Sequence, residues 1–127
     1  MNAGFKLSSV ASVPYSARQA LNSEMQYQLI LRFRRTSIEY PDDIRSLEQH
    51  LKELLGDSAT LDGYDTGARE VNLFLMTAEP ASVFRRSKPV LEQLSLLDKV
   101  TAAYRLEGGA RFTVIWPLKY GRKFSLR

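Results

Sequence analysis

The sequence predicts an α+β fold, in which one antiparallel sheet has two helices packed on one of its faces. In residues 25–34 every second residue from Met25 is apolar and the others are polar except Ile30, as in a strand, and helical spacing follows after Pro41. Residues 71–77 form an apolar strand-like run, and Pro80 then opens a second stretch with helical spacing. Two more alternating stretches, separated by glycines, follow residue 99. The element order is therefore β-α-β-β-α-β-β.

The first strand and the first helix are amphipathic. Leu29, Leu31 and Phe33 fall on one side of the strand, which predicts burial on that side. In the helix, apolar residues recur at three- and four-residue spacing, and Gly56 suits its end. The apolar stripe of this helix comprises Ile44, Leu47, Leu51, Leu54 and Leu55.

The second half of the chain is less regular. Residues 57–69 are polar and contain glycines, which predicts a short, irregular edge strand at 59–64 and a turn into the strand at 70–77. The helix after Pro80 contains Pro89, which has no backbone N–H to donate, so we expect a kink or two short pieces. A glycine turn joins the last two strands.

Two strand–helix–strand halves in this order, with right-handed crossovers, make a ferredoxin-like sandwich. The predicted strand order is 5-4-1-3-2 in an antiparallel sheet, with both helices on one face. A small α/β fold with a parallel sheet is the alternative. The chain has 127 residues, a length typical of one domain. We expect a flexible segment at 1–23, the α+β domain at 24–118 and a basic tail at 119–127.

The composition excludes several classes of chemistry. There is no cysteine and a single histidine, so thiolate chemistry and a multi-histidine metal site are excluded. We expect His50, beside the apolar stripe of the first helix, to be structural. The carboxylates of Asp62, Asp65 and Glu70 do not have the spacing of a calcium loop. The sequence therefore predicts no catalytic residue, no metal and no cofactor, and it favours a non-enzymatic protein.

The absence of cysteine also favours a reducing compartment, and no apolar run reaches the roughly 18 residues of a membrane span. We expect a cytoplasmic protein. Residues 1–23 contain no acidic residue and show no period, a composition that fits a disordered tail or an organelle-targeting segment.

Alternation predicts an apolar centre with an arginine flank on the sheet face away from the helices. In this assignment Val114 and Trp116 face the helices and Ile115 faces away. An exposed apolar centre with a polar rim is typical of a binding surface; the alternative is that a terminal segment folds over it. The candidate binding residues are Ile30, Arg32, Arg34, Phe74, Met76, Arg105, Arg111 and Ile115.

Charge is segregated along the chain. Residues 39–79 contain ten acidic and three basic residues, whereas residues 80–127 contain ten basic and three acidic ones. With the predicted strand order, the acidic block lies at the edge formed by strand 2 and the basic block at strands 4 and 5. An anionic partner is expected to approach the basic edge.

These features predict a protein–protein interaction module, either a homodimer or an inhibitor or immunity-type binder, that uses the sheet face and the basic strand 4–5 edge. The first alternative is nucleic-acid binding through Arg32, Arg34 and Arg105, although the strand at 70–77 lacks the aromatic pattern of RNA-recognition domains. The second is a small enzyme or small-molecule binder with a pocket on the sheet face.

Overall fold

The computed structural model describes residues 26–126 and confirms the predicted fold class. The segment predicted at 1–23 lies outside the described residues. Five antiparallel strands form one sheet in the order β2-β3-β1-β4-β5, which is the predicted order. The elements are β1 (Tyr27–Arg34), α1 (Asp42–Leu55), β2 (Thr60–Thr66), β3 (Glu70–Thr77), α2 (Pro80–Gln93), β4 (Val100–Leu106) and β5 (Thr113–Trp116).

The main core lies between the two helices and one face of the sheet. Leu29, Leu31 and Phe33 of β1 are fully buried there, as their alternation predicts. Leu73 of β3 and Leu51 of α1 are also fully buried in this cluster. Each such side chain contributes about 1.5–3 kcal/mol relative to an exposed position, so this face fixes the fold. Neither helix in the described part of the chain is long and apolar enough to cross a membrane.

Helix α1 begins with Asp42 and Asp43, whose negative charge suits the positive end of the helix dipole. It ends at Gly56, which has a φ of 50° and whose N–H donates to the Lys52 carbonyl. The assignment of Leu54 to the buried stripe is wrong, because Leu54 is 39% exposed. A step of about 100° per residue places it at the margin of the stripe centred on Leu51.

Helix α2 is continuous from Pro80 to Gln93, with Pro89 inside it, so the predicted break into two pieces does not occur. Pro89 removes the usual hydrogen bond to the carbonyl of Arg85. Both residues are exposed, and water can therefore hydrate that carbonyl.

Strand β2 is an irregular edge strand, as predicted. Its pairing with β3 shifts between Leu61 and Tyr64, at Gly63, which has a φ of 82°. Glycine adopts a positive φ without steric cost. The resulting bulge bends this edge strand, which disfavours pairing with a further strand.

The faces of β5 differ from those predicted. Ala102 pairs with Trp116 but Ala103 pairs with Val114, so Ile115 is an extra residue in the ladder. This bulge shifts the alternation. Trp116 remains in contact with the helix-side core as predicted, whereas Val114 packs on the opposite face and Ile115 packs against the helix-side core. The predicted positions of Val114 and Ile115 are therefore wrong.

The burial of Leu51 and the exposure of Leu54 give a matched test of the helix-side core. We expect Leu51→Ala to lower the free energy of unfolding by about 2–5 kcal/mol, because it leaves a cavity in the core. Leu54→Ala on the same helix should lower it by less than about 1 kcal/mol. Urea unfolding measures both values. Equal losses would show that Leu54 is a core residue.

Candidate functional site

The sheet face away from the helices is built from residues of β3, β1 and β4 that lie side by side. The strand register places one residue of each strand in each rung. The rungs, in the order β3, β1, β4, are Met76–Gln28–Arg105, Phe74–Ile30–Ala103 and Asn72–Arg32–Thr101. Arg34 extends the face beyond the last rung, opposite Glu70.

Residues 119–126, here called the C-terminal segment, cover the centre of this face. Phe124 is only 5% exposed and packs against Ile30 and Ala103, which are both fully buried. The prediction of an exposed apolar centre is therefore wrong at Ile30 and Ala103, and the alternative, a terminal segment folded over the face, is what the structure shows. Phe74 and Met76 are partly exposed.

Arg32 holds the C-terminal segment on the sheet. Its Nε donates to the Asn72 Oδ1 at 2.9 Å, and its Nη2 donates to the Ser125 carbonyl at 2.8 Å. Its guanidinium carbon lies 4.1 Å from the centre of the Phe124 ring, a cation–π contact. The Glu70 carboxylate is 3.5 Å from Nε, and the Arg32 side chain is 12% exposed. The Nε and Nη2 of Arg32 are therefore engaged within the protein.

Arg105 is also engaged within the protein. Its Nε donates to the Gln28 Oε1 at 2.9 Å, its Nη1 donates to the Gly109 carbonyl at 3.3 Å, and its guanidinium carbon lies 4.9 Å from the centre of the Phe112 ring. Arg34 and Arg111 are exposed. Of the predicted arginines, these two are the most accessible to a partner.

A cleft lies beside the covered centre, where β1 ends and where β3 and β4 begin. Its volume is about 610 Å³, within the range of small-molecule pockets, about 300–1,000 Å³. The strand register explains its position, because it brings the last residues of β1 next to the first residues of β3 and β4. The cleft is lined by Arg32, Arg34, Thr36, Ser37, Ala68, Arg69, Glu70, Asp98, Lys99, Thr101, Tyr120 and Arg122.

The cleft is basic. Five of its lining residues are arginine or lysine and two are acidic, and one of the two, Glu70, pairs with Arg32. Within residues 26–126, no ion pair to Arg34, Lys99 or Arg122 is present. Guanidinium groups donate hydrogen bonds in a planar fork that matches phosphate and carboxylate oxygens, and hydroxyl groups add further donors. The arrangement can therefore bind an anion.

A second concavity, of about 500 Å³, lies between α1 and β2. Its charged lining residues are Arg45, Lys52, Glu48 and Asp57, so its charges are balanced. The basic excess distinguishes the first cleft from this one.

The side chains of His50 and Asp65, which are of the types used in acid–base or metal chemistry, make hydrogen bonds within the protein. The Nδ1 of half-buried His50 donates to the Ser46 carbonyl at 2.7 Å, a local helix contact. Asp65 accepts a hydrogen bond from the Asn72 side chain at 3.1 Å. In the part of the chain that the structure describes, no group of three or more histidine and carboxylate residues is placed to hold a metal ion.

No family model, no curated protein and no solved structure matches this chain. The protein has an α+β fold with an open antiparallel sheet.

The prediction from the sequence missed part of the cleft. Arg69, Lys99, Tyr120 and Arg122 line it but were not among the candidate residues. They come from two loops and the C-terminal segment, whose positions depend on tertiary structure. A signal was present in the segment, because Tyr120, Phe124 and Leu126 are apolar residues in an otherwise polar stretch.

Arg32 and Arg34 allow a matched test of the anchoring role of Arg32. We expect Arg32→Met to lower the free energy of unfolding by about 1–3 kcal/mol, because Asn72 and the Ser125 carbonyl lose a charged donor. Arg34→Met, on the same strand and face, should change it by about 0.5 kcal/mol or less. Urea unfolding of both variants is the measurement, and an unchanged Arg32→Met variant would contradict the anchoring role.

Proposed function

We propose that this protein is a non-enzymatic nucleic-acid-binding module that contacts phosphate groups in its basic cleft. The observation that carries the proposal is the lining of the cleft, with five basic side chains against two acidic ones. Threonine and serine hydroxyls lie among them at positions 36, 37 and 101. Arginine, lysine and hydroxyl donors are the groups that proteins use for phosphate oxygens.

The charge distribution over the whole domain supports this orientation. The acidic residues Asp57, Asp62 and Asp65 belong to β2 and the turn before it, at one edge of the sheet. The basic residues Lys99 and Arg111 lie in or beside β4 and β5, at the other. A polyanion is attracted to the basic side and repelled by the acidic side, which raises its association rate and orients it. A cytoplasmic location is part of this proposal.

Nucleic acid is a better fit than the protein partner that the sequence favours. Stable protein interfaces have an apolar centre, and here Phe124 occupies the centre of the sheet face. The cleft beside that face is lined mainly by polar and basic side chains.

Two measurements test the proposal: the dependence of oligonucleotide affinity on salt concentration, and the effect of removing each of two arginine side chains on that dependence. We expect a labelled single-stranded oligonucleotide to bind with an affinity that falls steeply as salt rises, because phosphate contacts release counterions. Arg34→Ala and Arg122→Ala should each reduce the slope of log affinity against log salt by about 1. Fluorescence anisotropy measures both quantities.

The control is Arg111→Ala, which removes an exposed arginine that does not line the cleft. It should leave the slope close to that of the wild type. If Arg111→Ala has the same effect as Arg122→Ala, binding depends on general positive charge and not on the cleft.

Protein association is the second candidate function, and one observation favours it. Phe74 and Met76 remain partly exposed on neighbouring rungs of the sheet face. Adjacent apolar side chains of this kind can contribute to a homodimer or to an inhibitor-type contact.

Phe74→Asp tests this candidate. If the face mediates self-association, the wild-type protein should be a dimer in light scattering, and the variant should be a monomer with an unchanged circular dichroism spectrum. The charged side chain would be desolvated in the interface, which opposes association. A wild-type protein that is monomeric at all concentrations, or a variant that still dimerises, would rule out this interface.

A further inference from the structure

The cleft is built from two parts of the chain. Arg34, Arg69 and Lys99 belong to the strands and loops of the domain, whereas Tyr120 and Arg122 belong to the C-terminal segment. The cleft therefore has its full set of donors only when this segment lies on the sheet.

Side chains, rather than strand pairing, hold the segment in place. Within the described residues, no strand pairing involves residues 119–126. Phe124 packs on Ile30 and Ala103, its ring centre lies 5.2 Å from that of Phe112, and Arg32 stacks on it and donates to the Ser125 carbonyl. Tyr120 and Leu126 pack against the same cluster and are only partly buried. Phe124 is two residues from Arg122, so this anchor sets the position of Arg122 in the cleft.

Arg32 connects the anchor to the cleft directly. Its side chain contacts Phe124 and Ser125, and it also lines the cleft beside Arg34 and Thr101. A change in the position of the segment therefore alters both the charge that the segment supplies and the surroundings of Arg32.

We propose that docking of the C-terminal segment and binding of a nucleic-acid phosphate are coupled, with Phe124 acting as the positioning residue. This inference rests on the proposed function. Phe124 does not line the cleft and carries no charge. Its removal nevertheless weakens binding, because Phe124 is the one buried side chain among residues 119–126 and Arg122 is held less firmly at the cleft without it. Coupling of this kind is reciprocal, so the bound ligand stabilises the docked segment.

The test compares three variants of the full chain with the wild type, using a labelled single-stranded oligonucleotide at fixed low salt. Phe124→Ala removes the anchor and leaves the charge unchanged. Phe124→Leu retains an apolar anchor. Lys123→Ala removes a charge from the same segment at an exposed residue that does not line the cleft.

We expect Phe124→Ala to weaken binding by about tenfold, within the usual range for coupled sites. Phe124→Leu should restore most of the affinity, and Lys123→Ala should have a much smaller effect than Phe124→Ala. If Lys123→Ala and Phe124→Ala weaken binding equally, the segment acts only through its charge and the coupling is refuted, while the proposed function stands. If the wild-type protein does not bind the oligonucleotide, both the proposed function and the coupling are refuted.

Limited trypsin digestion of the wild-type protein gives a second measurement, which remains informative if Phe124→Ala does not fold. Trypsin can cleave after Lys123, which is exposed in the docked segment. The oligonucleotide should slow this cleavage, because ligand binding favours the docked state. Cleavage at the same rate with and without an oligonucleotide that binds would overturn the coupling.

Discussion

The arrangement of the sheet face depends on the guanidinium group of Arg32, which is largely enclosed by the protein. Arg32 lies in the central strand next to Ile30, and its side chain is only 12% exposed. A guanidinium group that loses most of its hydration must be given acceptors by the protein. Asn72 supplies one acceptor from β3, and the Ser125 carbonyl supplies another from the C-terminal segment. One side chain thus ties together two strands and the segment that covers them.

This requirement links the fold to the proposed activity. Because the C-terminal segment is held at the middle of the sheet, its Arg122 lies next to the basic residues at the end of β1 and the start of β4, and positive charge accumulates there. The concentration of charge, rather than the net charge of +4, is what would attract a phosphate-bearing partner.

The fold was largely predictable from the sequence because its signals are local. Alternation in β1 and helical spacing in α1 follow directly from the burial of one side of each element. The site was less predictable. Ile115 was assigned to the wrong face because a bulge shifts the register without any change in composition. The role of Phe124 depends on a contact between residues 94 positions apart, Ile30 and Phe124, and periodicity carries no information about such a pair.

The bulge at Gly63 makes the β2 edge a poor template for pairing with another strand. A sheet with two open edges can grow by edge-to-edge addition. The β2 edge is acidic at Asp62 and Asp65, whereas the opposite edge lies near basic residues. A contact between unlike edges would therefore be electrically favourable, and its repetition would give an open chain of copies. The shift in pairing at Gly63 interrupts the regular row of backbone donors and acceptors on the acidic edge. Such an interruption opposes edge-to-edge addition, and this opposition would matter most at low salt, where attraction between unlike charges is strongest.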